Sequence, residues 1–380
     1  MTGRTRLLLT SAHGRIAMIF LGVVLVSVVA VVILKNNVGT QSGSSCDPST
    51  PTTAVRGVIG SEKVAYFEDR DVVARFCRAG FTISIDKDGS RNMLDAIQKD
   101  RDGYTFAFPS STPTAEKIKT TLGVHEQFVP FTSPMVIATH QPIVDALTGA
   151  GVVQKASDGS QVLDIAALLP VLMKDTLWSD LDSALPKLTV QLKSTDPDDS
   201  NSAIMLLSIA SQVANGGVVV ATNDQQQKVL PTLCKLMSNQ GSKLGTSQYL
   251  YEDYLTKGMG TVPMALLYES QFLDTSRPER KLPDGAVKMF PRPTTYSRHT
   301  LVPLDAAGHG REIGRLLLKD PELKKLAARH GFRVEEPQAD LEQTTLPKPI
   351  DVVDPPTFAR LEPMLAEVSR LTKLGNGCAG

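Results

Sequence analysis

The sequence predicts an α/β fold built on mostly parallel sheets with flanking helices, entered after one N-terminal transmembrane helix. Three observations predict it. Ile16–Leu34 is an uncharged apolar run, close to the ~20 residues a helix needs to cross a ~30 Å hydrocarbon layer. Beyond it, a strand-like segment leads into serine and then a helix three times in succession: Ala54–Gly60 before Ser61, Phe81–Asp86 before Ser90, and Tyr104–Phe108 before Ser110 and Ser111. Such a repeat gives parallel strands whose C-terminal ends carry the loops where ligands collect. The third observation is Leu188–Ala214, in which the alternating Leu188, Val190 and Leu192 precede a hydroxyl-rich turn and a helix carrying Leu206, Ile209, Ala210 and Val213.

The N-terminus sets the orientation. Arg4, Arg6 and Arg15 precede the apolar run and only Lys35 follows closely, which places residues 1–15 in the cytoplasm and the rest outside. A cleaved signal peptide has a shorter apolar region, about 7–15 residues, so the segment reads as an uncleaved anchor. The chain is thus expected in the cell membrane as a single-pass protein with its C-terminal part extracytoplasmic. Residues 35–53 are a Ser/Thr/Gly/Pro-rich tether that cannot bury a core.

The 380 residues suit two or three units at roughly 100–200 residues per domain. With 42% hydrophobic residues, 40 basic against 40 acidic side chains and 5% aromatics, the composition supplies ample core and favours no nucleic-acid partner. Cys46, Cys77, Cys234 and Cys378 permit two disulfides in three connectivities. No C-x-x-C spacing is present and the six histidines are scattered, so no metal and no cofactor is expected.

In order, Asp69 or Asp71 caps a helix over Val72–Arg78, a helix begins near Asn92, and another begins near Thr114. Phe128–His140 is a long extended run of the kind that crosses between lobes. Ile143–Leu147 is helical, and residues 164–182 read as a helix followed by a loop at Leu177–Leu181. Ser194, Thr195, Asp196, Ser200, Asn201 and Ser202 are all competent caps, and Pro197 suits a turn or a first helical position. Such a turn leaves free N–H groups and partial positive charge at a helix N-terminus, ready for a polar ligand. Gly217–Thr222 reads as a strand, Gln227–Met237 and Ser247–Lys257 as helices, and Val262–Leu273 as a buried strand carrying Glu269. Val287–Tyr296 leads back to the first half. His309–Leu318, Pro321–His330 and residues 357–373 are helices, the last after an acidic, Pro-rich stretch.

Gly60-Ser61-Glu62-Lys63, Gly89-Ser90-Arg91, Pro130–Ala138, Leu177–Leu181, Ser194-Thr195-Asp196-Pro197 with Ser200-Asn201-Ser202, Tyr268-Glu269, and Leu326-Ala327 with His330–Arg333 follow one another in an order that resembles the bacterial extracellular solute-binding proteins of the type II periplasmic-binding fold, in particular actinobacterial membrane-anchored members. The resemblance spans residues 55–335. It implies two α/β lobes joined by crossing strands, with residues 54–142 and 287–335 in lobe 1, residues 143–286 in lobe 2 and residues 336–380 as a C-terminal extension. Ser61, Ser90, Arg91, Ser110 and Ser111 would then line one side of a cleft, with Ser194, Thr195, Asn201, Ser202 and Glu269 opposite. Arg91 has a surface alternative in Asp88 or Asp95, and Glu269 in an arginine or the backbone. Hydroxyls at helix N-termini with one arginine favour an anion, whereas Asp196 and Glu269 favour an amine or a metal cation; the reading leans towards a small polar anion.

The function so implied is a non-enzymatic, membrane-anchored receptor that captures a solute and hands it to a transporter permease. A sensor or protein-interaction module of the envelope is the alternative. No Gly-x-Ser-x-Gly elbow, phosphate-binding loop or His-Glu-x-x-His helix occurs.

Overall fold

A computed structural model describes residues 51–241, 244–334, 346–348, 351–373 and 378. The expected membrane helix, most of the tether and Cys46 lie outside the described residues. Among the described residues no helix is long and apolar enough to cross a membrane.

The βα repeat forms as expected. Strands β1 (Thr53–Ile59), β2 (Phe81–Lys87) and β3 (Phe106–Phe108) pair in parallel with β1 in the middle. Between them run α1 (Val64–Phe67), α2 (Arg70–Arg78) and α3 (Met93–Lys99), and α4 (Thr112–Leu122) follows. Asp69 caps α2 by accepting from the N–H groups of Asp71 and Val72. Long strand β4 (Phe128–His140) is the spine of the molecule. Its first half pairs antiparallel with β9 (Tyr296–Pro303), which also closes on β3, and its second half pairs antiparallel with β7 (Met264–Tyr268) and β8 (Ala286–Arg292). Beyond β8 lie β6 (Gln161–Asp164), parallel to it, and then β5 (Val153–Lys155), while the short β10 (Arg333–Val334) pairs with β4.

Further helices are α5 (Gln141–Gly149), α6 (Ile165–Met173), α7 (Trp178–Leu181), α8 (Asn201–Ala214), α9 (Asn223–Ser238), α10 (Ser247–Lys257), α11 (Glu269–Leu273), α12 (His309–Lys319), α13 (Pro321–Arg329) and α14 (Phe358–Lys373). The apolar clusters divide into two groups, which gives two lobes on either side of the β4 midpoint. Phe76, Phe106, Phe131 and Phe332, with Met93, Ile97 and Ile118, fill the first. Leu168, Leu207, Leu233 and Met289, with Tyr254 and Leu267, fill the second. Leu361, Met364, Leu365 and Val368 of α14 belong to that second core.

Three expected strands differ from this. Residues 188–193 are extended but form no ladder, because their hydrogen bonds go to Thr176, Trp178, Met264 and Leu266 in turn. Gly217–Thr222 is a loop: Gly216 and Gly217 have φ of 75° and 87°, the side chain of Asn215 donates to Val218 O at 2.9 Å, and Val218 is 58% exposed. Val262–Leu273 divides into β7 and α11, so Glu269 opens a helix rather than ending a strand.

Cys234 on α9 is bonded to Cys378, closing a separation of 144 residues with a Cα–Cα distance of 5.4 Å. Cross-linking of this kind restrains the unfolded chain. Replacing Cys378 by serine is therefore expected to lower the unfolding free energy by about 2–4 kcal/mol in denaturant titrations.

Candidate ligand-binding cleft

The loops after β1, β2 and β3 face the starts of α8 and α10 and the end of β7. They enclose an inner cavity of ≈ 10 Å³ lined by Ser61, Ser90, Ser110, Ser200, Asn201 and Ser247, with Glu62, Asp88, Thr246 and Tyr268 beside them. That is room for about one water. Ser61, Asp88, Gly89, Gly245 and Thr246 also line a wider mouth of ≈ 550 Å³, whose outer wall carries Asp199, Tyr249, Glu252, Arg277 and Arg280.

Polar contacts hold the two sides together. Asn201 Nδ2 at the start of α8 donates to Ser110 O at 3.3 Å and to the Tyr268 hydroxyl at 3.1 Å. Asn92 Nδ2 donates to Asp199 Oδ1 at 3.2 Å, and Arg91 donates to Pro197 O at 2.9 Å. Gly89 has no room for a side chain, since a Cβ there would lie 2.1 Å from Asp199 O. Within this closed seam Asn201 Oδ1 is buried and has no partner. An orphaned buried acceptor costs about 1–3 kcal/mol, so a donor brought by a ligand or water gains there.

Beneath the cavity lies a buried charge cluster. Lys63, fully buried, pairs with Glu62 and donates to Ser110 Oγ at 3.1 Å; its ammonium lies 3.2 Å from His299 Nδ1. Ser110 Oγ in turn donates to Glu62 at 2.6 Å. Burial pushes the Glu62 carboxyl up, but Lys63 and His299 outweigh it and hold the group below its ordinary range. Burial lowers the Lys63 ammonium, and Glu62 offsets part of that. Burial and then the Lys63 charge push His299 down to about 4, which leaves its imidazole neutral near pH 7. Tyr268 is raised by burial and then by the Glu62 charge, and stays a phenol. Asp88 is raised by burial, with Asp199 and Asp95 adding to it.

Of the residues expected at a ligand, Ser61, Ser90, Ser110 and Asn201 meet in the inner cavity. Ser111 stands just before α4 without capping it, donates to the Thr114 hydroxyl at 3.1 Å and faces α14. Thr195 and Ser202 bond each other at 2.7 Å beneath the α8 turn, and Ser194 N donates to Gln240 at 2.6 Å, while the Ser194 hydroxyl is buried without a hydrogen-bond partner. Arg91 pairs with neither Asp88 nor Asp95: it grips Pro197, Asp198 and Glu362. Glu269 is fully buried and pairs with Lys288 at 2.6 Å and Arg333 at 2.6 Å. Glu62, Asp88, Thr246, Ser247 and Tyr268 also border the cavity and Lys63 lies beneath it, although none of the six is among the residues expected at a ligand. For Thr246 and Ser247 the signal was present, a hydroxyl pair at a helix start, but no strand precedes it.

No family model and no curated protein matches the chain. Solved structures do match in fold. The sulfate-binding protein SubI of Mycobacterium tuberculosis superposes with a TM-score of 0.54 at 15% identity, over 79% of this chain and 93% of its own. Iron-bound HitA of Pseudomonas aeruginosa gives 0.55 at 14% identity, over 85% and 99%. The periplasmic binding protein AfuA of Actinobacillus pleuropneumoniae, with fructose-6-phosphate bound, gives 0.52 at 13% identity, over 84% and 96%. The chain therefore has the two-lobed α/β fold of type II periplasmic binding proteins.

Proposed function

We propose that the protein is a non-enzymatic solute receptor, held outside the cell membrane by the helix 16–34, that captures a small polar molecule between its lobes and delivers it to a transporter. The observation that carries this reading is the seam at Asn201, where two lobes close over a hydroxyl-lined cavity and leave a buried acceptor without a partner. Closure of hinged lobes excludes water and strengthens every polar contact made inside. Structures of this fold that bind sulfate, iron or a sugar phosphate agree with such a use.

The lining offers both kinds of hydrogen-bonding group. Hydroxyls and the helix N-termini of α8 and α10 donate; Asn201 Oδ1 and the carboxylates of Glu62 and Asp88 accept. Arg91, part of the case for an anion, is spent on Glu362 and Asp198. The matching solute carries donors as well as acceptors, as a protonated oxyanion, a polyol or an amino acid does.

Thermal unfolding of the full chain against small oxyanions, polyols, amino acids and divalent metals tests this. A ligand at ~100 times its dissociation constant adds about 2.7 kcal/mol, so at least one compound is expected to raise Tm clearly. A panel with no shift at all would favour the envelope sensor or interaction module instead.

A further inference from the structure

Residues 351–373 and Cys378 run from the crossing point of the lobes, along the side of the cleft away from the mouth, and back onto the second lobe. The path starts at Thr294, in the turn between β8 and β9. Its N–H donates to Asp351 O at 3.1 Å and its carbonyl accepts from Val353 N at 2.8 Å, while its hydroxyl donates to Met135 O at the midpoint of β4. Next, the Phe358 ring lies 5.0 Å from Lys117 Nζ of α4, on the first lobe. Helix α14 then buries Leu361, Leu365 and Val368 in the second lobe's core. Lys373 bonds Asp198 at 2.8 Å, and the Cys234–Cys378 bond ties the end to α9. From this anchored helix Glu362 reaches across to Arg91 of the first lobe, whose side chain is 16% exposed and whose guanidinium also holds Pro197 and Asp198. The groove between Ser90, Ser111, Pro113 and Ile204 is covered by Phe358, Leu361 and Glu362.

We infer that this C-terminal segment is an interlobe clasp: fixed to the second lobe by packing and a disulfide, it grips the first lobe through Glu362–Arg91, limits how far the lobes open, and walls off the cleft on that side. Every partner of Arg91 named above lies on the second lobe or on the clasp, so separating the lobes breaks all of them together. In the solute receptor proposed above, the reading on which this consequence depends, the mouth at Asp88, Asp199 and Tyr249 becomes the way in, and the chamber is blind at Ser90. A blind chamber selects compact solutes over extended chains.

The clasp is testable without any ligand. Spin labels on non-natural side chains at Gln98 of α3 and Thr256 of α10, both on the surface, report the interlobe distance in the full chain by pulsed electron resonance; engineered cysteines are avoided because Cys77, Cys234 and Cys378 are all disulfide-bonded. Glu362→Lys and Cys378→Ser are each expected to shift the distribution to longer, broader separations. Glu362→Gln, which keeps shape and removes charge, shifts it the same way to a smaller degree. Glu367→Lys, on the same helix but paired with Arg370, leaves it unchanged. An unchanged distribution in both Glu362→Lys and Cys378→Ser overturns the clasp, and the solute receptor would stand or fall separately on the thermal panel.

Discussion

Replacing Glu62 by glutamine is expected to lower the unfolding free energy by about 3–5 kcal/mol, the cost of leaving one member of a buried ion pair uncompensated. Lys63 is fully buried against Glu62, and neither Ser110 Oγ nor His299 can neutralise it. The pH profile separates this from simple loss of packing. In the native protein the Glu62 carboxyl titrates below its ordinary value of 4.5, so its contribution is present above that value and is lost as pH falls through the lower folded one. His299 adds to the acid side. Its folded value of about 4 lies below the ordinary 6.5, so the unfolded chain takes the proton first and stability falls as pH drops between them. Without Glu62 the Lys63 ammonium is depressed further. Below its unfolded value the unfolded chain then binds more protons, stability rises with pH, and the deficit of the variant narrows towards alkaline pH. Denaturant titrations of both proteins at acid, neutral and alkaline pH check this; a deficit that is constant with pH would contradict it. His299→Gln should flatten the native profile between 6.5 and 4.

Replacing Gly89 by valine is expected to leave the fold intact and hold the lobes apart. A Cβ at this position would lie 2.1 Å from Asp199 O and 2.9 Å from Asp199 C. Both are backbone atoms of the opposite lobe, and no rotamer change relieves the contact. The loops must separate, which also pulls Asn92 from Asp199 and Asn201 from Ser110. A receptor that binds by closing then loses affinity at least about tenfold, or 1.4 kcal/mol, and the radius of gyration in solution scattering rises. A variant as compact as the native protein would show that the seam at Gly89 does not govern closure.

Much of the fold was legible because its signals are local. The three strand–serine–helix units, the long run Phe128–His140 and the helix Ser247–Lys257 each carry their own periodicity, and each forms. Failures fall where tertiary partners decide. Residues 188–193 alternate like a strand, yet their hydrogen bonds scatter over several elements. Arg91 has acidic neighbours in sequence at Asp88 and Asp95, but it pairs with Glu362, 271 residues away. Glu62 and Lys63 look like any adjacent surface charges, and they are buried together by distant parts of the chain, Ser110 after β3 and His299 of β9 among them. Likewise α14 was readable as a helix, while its seat against Leu233 and Ile204 was not.

The most direct measurement is a calorimetric titration of the compound found in the thermal panel into the full chain and into its Asn201→Ala and Gly89→Val variants. One binding event per chain is expected in the native protein, with its loss or severe weakening in both variants. Equal affinity in all three would place the ligand outside the cleft and contradict the claim that the lobes close on a solute at Asn201.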